Sequence, residues 1–169
     1  NQADEVELFL NDKSLGARSK SGDEVKVWWR VPYEAGTLRA VSRKGGKEVL
    51  VREIKTAGAP VSIRLTADRQ TISADGTDLS FITVEAVATN GNAVPVADNM
   101  IQFSVKGAGF IAGTDNGDAT DHLSPKKPAR KLFNGQALVV VQSNGKRGNI
   151  ELTATAEGRK MATTARKCR

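Results

Sequence analysis

NIELTATA (149–156) decides how this chain folds. Its apolar side chains fall at every second position: Ile150, Leu152, Ala154 and Ala156 on one side, Glu151, Thr153 and Thr155 on the other. Only an extended strand, whose side chains alternate with a period of two, buries one set and wets the other. VKVWWRV (25–31) repeats the pattern, with Val25, Val27, Trp29 and Val31 on one face and Lys26, Trp28 and Arg30 on the other. This spacing predicts Trp29 as the core aromatic of its region. No long segment keeps the i, i+3, i+4, i+7 spacing of an amphipathic helix.

Outward from these stretches, residues 1–57 read as four short strands, Val6–Leu10, Val25–Val31, Leu38–Arg43 and Val49–Lys55. The turns between them are Asn11–Gly22, Pro32–Gly36 and Lys44–Lys47. Thr56-Ala57-Gly58-Ala59-Pro60, small residues ending in proline, reads as an interdomain linker. Beyond it come Val61–Thr66, Leu79–Ala88, Ile101–Lys106, Ala137–Gln142, Asn149–Ala156 and Met161–Ala165. Asn90-Gly91 and Asn144-Gly145 lie between strand runs and tolerate the positive φ of tight hairpins. Closely spaced strands without intervening helices predict an all-β chain: two immunoglobulin-like antiparallel β-sandwich domains in tandem, 1–57 and 58–169. The first is near the lower size limit for a self-sufficient core. The chain opens NQADEVELFL, with no basic n-region of a signal peptide and an apolar alternation starting almost at once. That reads as a piece of a longer polypeptide, its first domain truncated at the N-terminus.

Composition excludes several classes. No apolar run approaches the roughly 20 residues that span a bilayer, so no membrane partner is expected. A net charge of +6 raises nucleic acid as a partner. Acidic residues are interspersed with the basic ones, however, and the two short clusters (Lys126, Lys127, Arg130, Lys131 and Arg166, Lys167, Arg169) lack interleaved aromatics. They are expected as solvated loops, with no nucleic acid bound. The first cluster also invites a polyanion; a loop touching the rest of a larger protein is the preferred reading. Cys168, the only cysteine, excludes an intrachain disulfide and is expected to fray at the terminus.

GTDNGDATDHLSP (113–125) is where chemistry would be sought. Asp115, Asn116, Asp118 and Asp121 are calcium-ligand types, but their spacing is not that of an EF-hand loop and no Glu closes it. The alternative is a polar loop that satisfies itself, Asn116-Gly117 turning and the Asp side chains accepting backbone N–H bonds, with His122 pinning it. That reading is preferred, with no metal and no cofactor. His122 is the sole imidazole and no Gly-x-Ser-x-Gly elbow is present, which leaves no nucleophilic triad. Hydrolysis by a pair of carboxyl groups needs the two about 5–5.5 Å or about 6.5–9.5 Å apart. The Glu residues fall mostly on outward positions or turns, and no catalytic residue is assigned.

VELFLNDKSLG (6–16), WRVPYEAGTLRAV (29–41), DRQTISADGTDLSFITVEAV (68–87), IQFSVKGAGFIAGTDNGDATDH (101–122) and FNGQALVVVQS (133–143) together resemble the C-terminal region of glycoside hydrolase family 2, especially β-galactosidases. The resemblance runs in order through essentially the whole chain. It implies two non-catalytic immunoglobulin-like sandwiches downstream of a (β/α)₈ barrel that carries the catalytic glutamates. The second sandwich is also similar to bacterial repeats of invasin type. Trp28 stands where such proteins usually have a polar residue, and Ala35 where they have proline; a strand that usually precedes Val6 is missing. The barrel upstream in the same polypeptide is the implied partner, and a periplasmic or secreted location is the implied compartment.

Phe9 and Trp28 both point away from the predicted core and are expected to form one exposed patch, with Tyr33 in the turn after Pro32 adding to it. Such a patch marks either a seam against a neighbouring domain or a sugar-stacking platform. Three readings of the chain follow: a non-catalytic structural fragment of a glycosidase, a carbohydrate-binding module, and an adhesin repeat.

Overall fold

The computed structural model describes residues 3–157 and 162–169. It is all-β, and no helix occurs among the described residues. By Cα proximity the chain divides into two compact units, Asn1–Thr56 and Ala57–Arg169.

The first unit is one four-stranded antiparallel sheet in the order β2-β1-β3-β4. Its strands are β1 Glu5–Leu10, β2 Lys13–Ser19, β3 Thr37–Lys44 and β4 Lys47–Lys55. β2 lies where the sequence suggested a turn. Asn11 and Asp12 both take positive φ (49° and 65°) and fold β2 back on β1, so hairpin hydrogen bonds rather than burial make this strand. The reverse holds for 25–31, which is not a strand. Its alternation survives, with Val27, Trp29 and Val31 half-buried between exposed Lys26, Trp28 and Arg30, but no ladder forms. The segment is held by the side chain of Arg18, whose Nη1 donates to the Trp28 carbonyl at 2.7 Å. Trp29 is therefore not the core aromatic. Its indole Nε1 is enclosed without a partner among the described residues, of which Leu8 and Val41 are the buried apolar ones in this unit.

The second unit is a sandwich. One sheet runs β5-β7-β11-β9 and the other β10-β8-β12-β13-β6. The first comprises β5 Ser62–Ala67, β7 Leu79–Val87, β9 Gly109–Asp115 and β11 Gln136–Ser143; the second comprises β6 Thr71–Ile72, β8 Met100–Gly107, β10 Ala129–Lys131, β12 Gly148–Thr155 and β13 Ala162–Cys168. The inward set foreseen in NIELTATA holds, with Ile150, Leu152 and Ala154 each at most 2% exposed. They meet Ile82, Val84, Val139 and Val141 of the facing sheet in one apolar cluster. The predicted start of the last strand, Met161, lies outside the described residues.

Two features of this unit were not read from the sequence. β9 follows β8 through a corner at Ala108 that moves the chain from one sheet to the other. Gly107 there has φ 93°, and a Cβ would stand 2.0 Å from the Asn149 carbonyl oxygen, so only glycine fits. Asn144-Gly145 likewise carries the chain between sheets instead of closing a hairpin. Asn134-Gly135, between β10 and β11, is a tight two-residue turn, where Phe133 and Gln136 exchange both backbone hydrogen bonds. Cys168 does not fray: it ends β13 at 3% exposed, its Sγ 3.3 Å from the Ser143 hydroxyl.

Candidate functional site

The acidic loop 115–123 leaves β9 and returns to β10, and its side chains fold onto its own backbone. Asp115 Oδ1 accepts from the Gly117 N–H at 2.9 Å, and Asn116 Oδ1 from the Asp118 N–H at 3.0 Å. Asp118 Oδ1 accepts from both the backbone and the hydroxyl of Thr120, and Asp121 Oδ1 from the Leu123 N–H. These are successive Asx turns. Asn116 Nδ2 also donates to Asp121 Oδ2 and to the Lys131 carbonyl, closing the loop across its neck.

The group that pins this loop is Arg130. It was expected in a solvated basic cluster, yet it is 3% exposed. Its Nη1 donates to Asp121 Oδ2 at 2.9 Å and to the Leu123 carbonyl at 3.0 Å; its Nη2 donates to the carbonyls of Thr114 and Ser124. A planar guanidinium with five N–H groups suits this convergence of acceptors. His122, expected in the pinning role, is exposed and makes no hydrogen bond among the described residues. One signal could have found Arg130: it shares strand parity with Leu132, and both point inward. Its neighbours disperse, Lys126 Nζ donating to the Ala112 carbonyl and Lys131 pairing with Asp98 at 3.0 Å. Arg166 of the tail cluster is buried as well, at 5% exposed.

Several carboxyls are held in their charged form by neighbouring donors. Here Glu7, Asp75, Asp78, Asp98, Asp115 and Asp121 all sit below the ordinary carboxylate range. Each is held there first by a hydrogen bond: from the Ser14 hydroxyl, the backbone N–H of Thr77, the backbone N–H of Ser73, Lys131, the backbone N–H of Gly117 and that of Leu123, respectively. Groups of three or more His, Cys, Asp or Glu arranged to hold a metal are absent among the described residues.

Of the aromatics singled out in the first unit, Phe9 and Trp28 do not converge. Phe9 pairs across the sheet with Arg39, whose guanidinium carbon stands 4.4 Å from the ring centroid. Trp28 belongs to the opposite face: the Arg18 guanidinium lies 5.6 Å from its ring and 5.5 Å from that of Trp29, and Arg18 pairs with Val6, of opposite parity to Phe9 on β1. Trp28 remains 57% and Tyr33 84% exposed.

What the fold and these residues define is a β-sandwich protein whose most elaborate polar cluster is spent on its own architecture. Comparison with known proteins gives the lineage. Residues 63–165 match the glycoside hydrolase family 2 C-terminal domain 5, and residues 1–50 match a domain of unknown function, DUF4982. The chain belongs to glycoside hydrolase family 2, as a C-terminal part of such an enzyme. It is 51% identical over 162 residues to the β-galactosidase BoGH2A of Bacteroides ovatus, an alignment covering 96% of this chain and 19% of that protein. It is 28% identical over 114 residues to a β-glucuronidase of Formosa agariphila, covering 66% of this chain and 12% of the relative. A family 2 glycosyl hydrolase from Bacteroides cellulosilyticus superposes with a TM-score of 0.95 at 37% identity, over 99% of this chain and 22% of that one. The chain thus spans about a fifth or less of the length of these relatives.

Proposed function

We propose that this chain is the non-catalytic C-terminal sandwich region of a β-galactosidase that removes terminal sugars from oligosaccharides. Its units brace an upstream catalytic barrel or the enzyme's oligomer, and the enzyme works in the periplasm or outside the cell. The observation that carries this reading is the 51% identity to BoGH2A along nearly the whole chain. The low-lying carboxyls and the self-satisfied acidic loop support a non-catalytic role.

The test compares the longer polypeptide with and without residues 1–169. The longer form should hydrolyse 4-nitrophenyl β-galactoside in preference to the matching β-glucuronide, and this chain alone should hydrolyse neither. Preference for the glucuronide overturns the galactosidase assignment. An unchanged kcat/KM, thermal stability and oligomeric state after deletion of 1–169 overturns the bracing role.

A second reading, carbohydrate binding by the first unit, is favoured by the exposure of Trp28 and Tyr33. Galacto-oligosaccharides would then alter tryptophan emission, and Trp28→Ala would abolish the response. A flat titration returns these residues to the role of a seam against a neighbouring domain.

A further inference from the structure

The four strands of the first unit present two unlike faces. On one, register sets Glu5, Arg43 and Glu48 side by side. Arg43 ties this face together across three strands, 2.7 Å from Glu7, 3.6 Å from Glu5 and 3.8 Å from Glu48. The opposite face carries Leu10, Leu38 and Ile54 in one row and Val6, Ser42 and Leu50 in another, with Leu8, Ala40 and Arg52 between them. A sheet that is ionic on one side and largely apolar on the other buries the apolar side against a second layer.

Among the described residues of this unit, that layer consists of 25–31 alone. The segment lies over the β2–β1 side, where Arg18, the neighbour of Val6 on β2, donates to the Trp28 carbonyl. Cover falls away across the sheet: Leu8 on β1 is 9% exposed, whereas Leu50 and Ile54 on β4 are 47% and 72% exposed. A cleft of about 470 Å³ stands open between 25–27 and the row Val6, Ser42, Leu50.

Residues 25–31 have the alternation of a strand without its ladder. Val27, Trp29 and Val31 are half-buried between exposed neighbours. Among the described residues the segment's backbone N–H groups have no protein partner, and of its carbonyls only that of Trp28 accepts a bond. Folded proteins satisfy an extended stretch of this kind by pairing it with another strand.

The course of the polypeptide selects the occupant. This chain is a C-terminal part of a family 2 enzyme and covers 19% of BoGH2A and 22% of the superposed Bacteroides cellulosilyticus protein, so most of such an enzyme lies outside it. Ala3 and Asp4 line the cleft, which puts residues ahead of Asn1 within reach of it through a short connection. A tethered segment has an effective concentration at such a site that a separate molecule lacks.

We propose that the segment immediately preceding Asn1 in the full enzyme forms a strand that pairs with 25–31 and lies over β3 and β4, filling the cleft beside Leu50 and covering Ile54. The first unit is then a closed sandwich built across the start of this chain, and the upstream region is woven into it rather than docked onto it. This goes beyond the bracing role, and it rests on membership of family 2 alone, whichever sugar the enzyme removes.

The test compares hydrogen exchange in this chain, in the same chain extended by about 30 preceding residues, room for a strand and its connections, and in the full enzyme. Amides of 25–31 should exchange at least about tenfold more slowly in both longer forms. Leu50→Lys and Ile54→Lys, at exposed positions of the chain alone, should hardly move its urea midpoint but should undo the protection of 25–31 in the longer forms. Equal exchange at 25–31 in all three forms overturns the proposal. So does protection gained along β2 instead of 25–31, or tolerance of both lysines in the longer forms. Protection that appears in the chain alone as its concentration rises assigns the face to a second copy and equally overturns it. The full enzyme keeps the comparison decisive if the extended chain aggregates. Exchange is read without substrate, so a failure here leaves the galactosidase assignment intact, and a failure of that assignment leaves the exchange pattern unchanged.

Discussion

Two buried arginines of this chain sit in opposite situations, and the difference is measurable. Arg130 is enclosed with a carboxylate and three carbonyls as acceptors. Removing one partner of such a pair strands the other and typically costs about 3–5 kcal/mol. Arg130→Met should therefore lower the unfolding free energy of the second unit, read from urea melts, by that order, and Arg130→Lys should rescue little, since an ammonium cannot fork between Asp121 and the carbonyls. Among the described residues, Arg166 has only the Thr164 hydroxyl and the Ala165 carbonyl on its Nη1, and its Nε has no partner. Burial pushes its pKa down, against the pull of Asp68. A desolvated charge without a bonded counter-ion is a net cost, so Arg166→Met should raise that unfolding free energy, by about 1 kcal/mol or more. Asp121 adds a pH dependence. Its carboxyl lies below the ordinary range because the Leu123 N–H and then Arg130 bind its charged form. A depressed folded pKa stabilises above the unfolded value near pH 4 and is lost as pH falls through the folded one. Urea midpoints should fall on acidification from about pH 5 downward, and Asp121→Asn should flatten that slope.

At the scale of elements, glycine decides where strands end. Gly135 closes the tight turn at Asn134-Gly135 with φ 76°, and a Cβ there would stand 2.2 Å from the Val94 carbonyl oxygen. Gly135→Ala must both strain the backbone and displace a neighbouring carbonyl, so a loss exceeding about 1 kcal/mol is expected by thermal melting. Gly145→Ala, whose Cβ would meet only Gly76 at about 4.0 Å, should bear the strain alone and cost less. These turns also mark what the sequence could and could not disclose. Period-two alternation located β7, β8, β11 and β12 because each buries one face against the facing sheet. It missed β2, an exposed edge strand made by pairing, reading 11–22 as a turn, and assigned a strand to 25–31, where alternation exists without a partner strand among the described residues. β9 was hidden by its small residues and by the corner at Ala108. The acidic loop was legible as Asx turns, because Asp and Asn at these spacings bond their own backbone locally. Its anchor was not, since Arg130 reaches back across the sequence from β10 to Thr114 and Asp121.

For the whole molecule, the two units differ greatly in what they bury. Among the described residues, the second joins nineteen buried side chains in one cluster drawn from both sheets and their connections. The first, a single sheet, fully encloses little beyond Leu8 and Val41, and every residue of β4 is exposed, including Val49, Leu50 and Ile54. Apolar area removed from water is the main favourable contribution to folding, so the first unit has far less to set against its conformational entropy. Unfolding should therefore not be a single two-state transition. The chain supplies a selective probe, because both of its tryptophans, Trp28 and Trp29, lie in the first unit. Tryptophan emission should report unfolding of that unit at a lower urea concentration than far-UV circular dichroism, to which the strands of the second unit contribute most. Amides of β1, β3 and β4 should exchange with solvent faster than those of β7, β11 and β12 under native conditions. Coincident emission and dichroism midpoints with uniform exchange protection would mean that the small unit is stabilised as strongly as the sandwich, and the argument from buried area would fail for this chain.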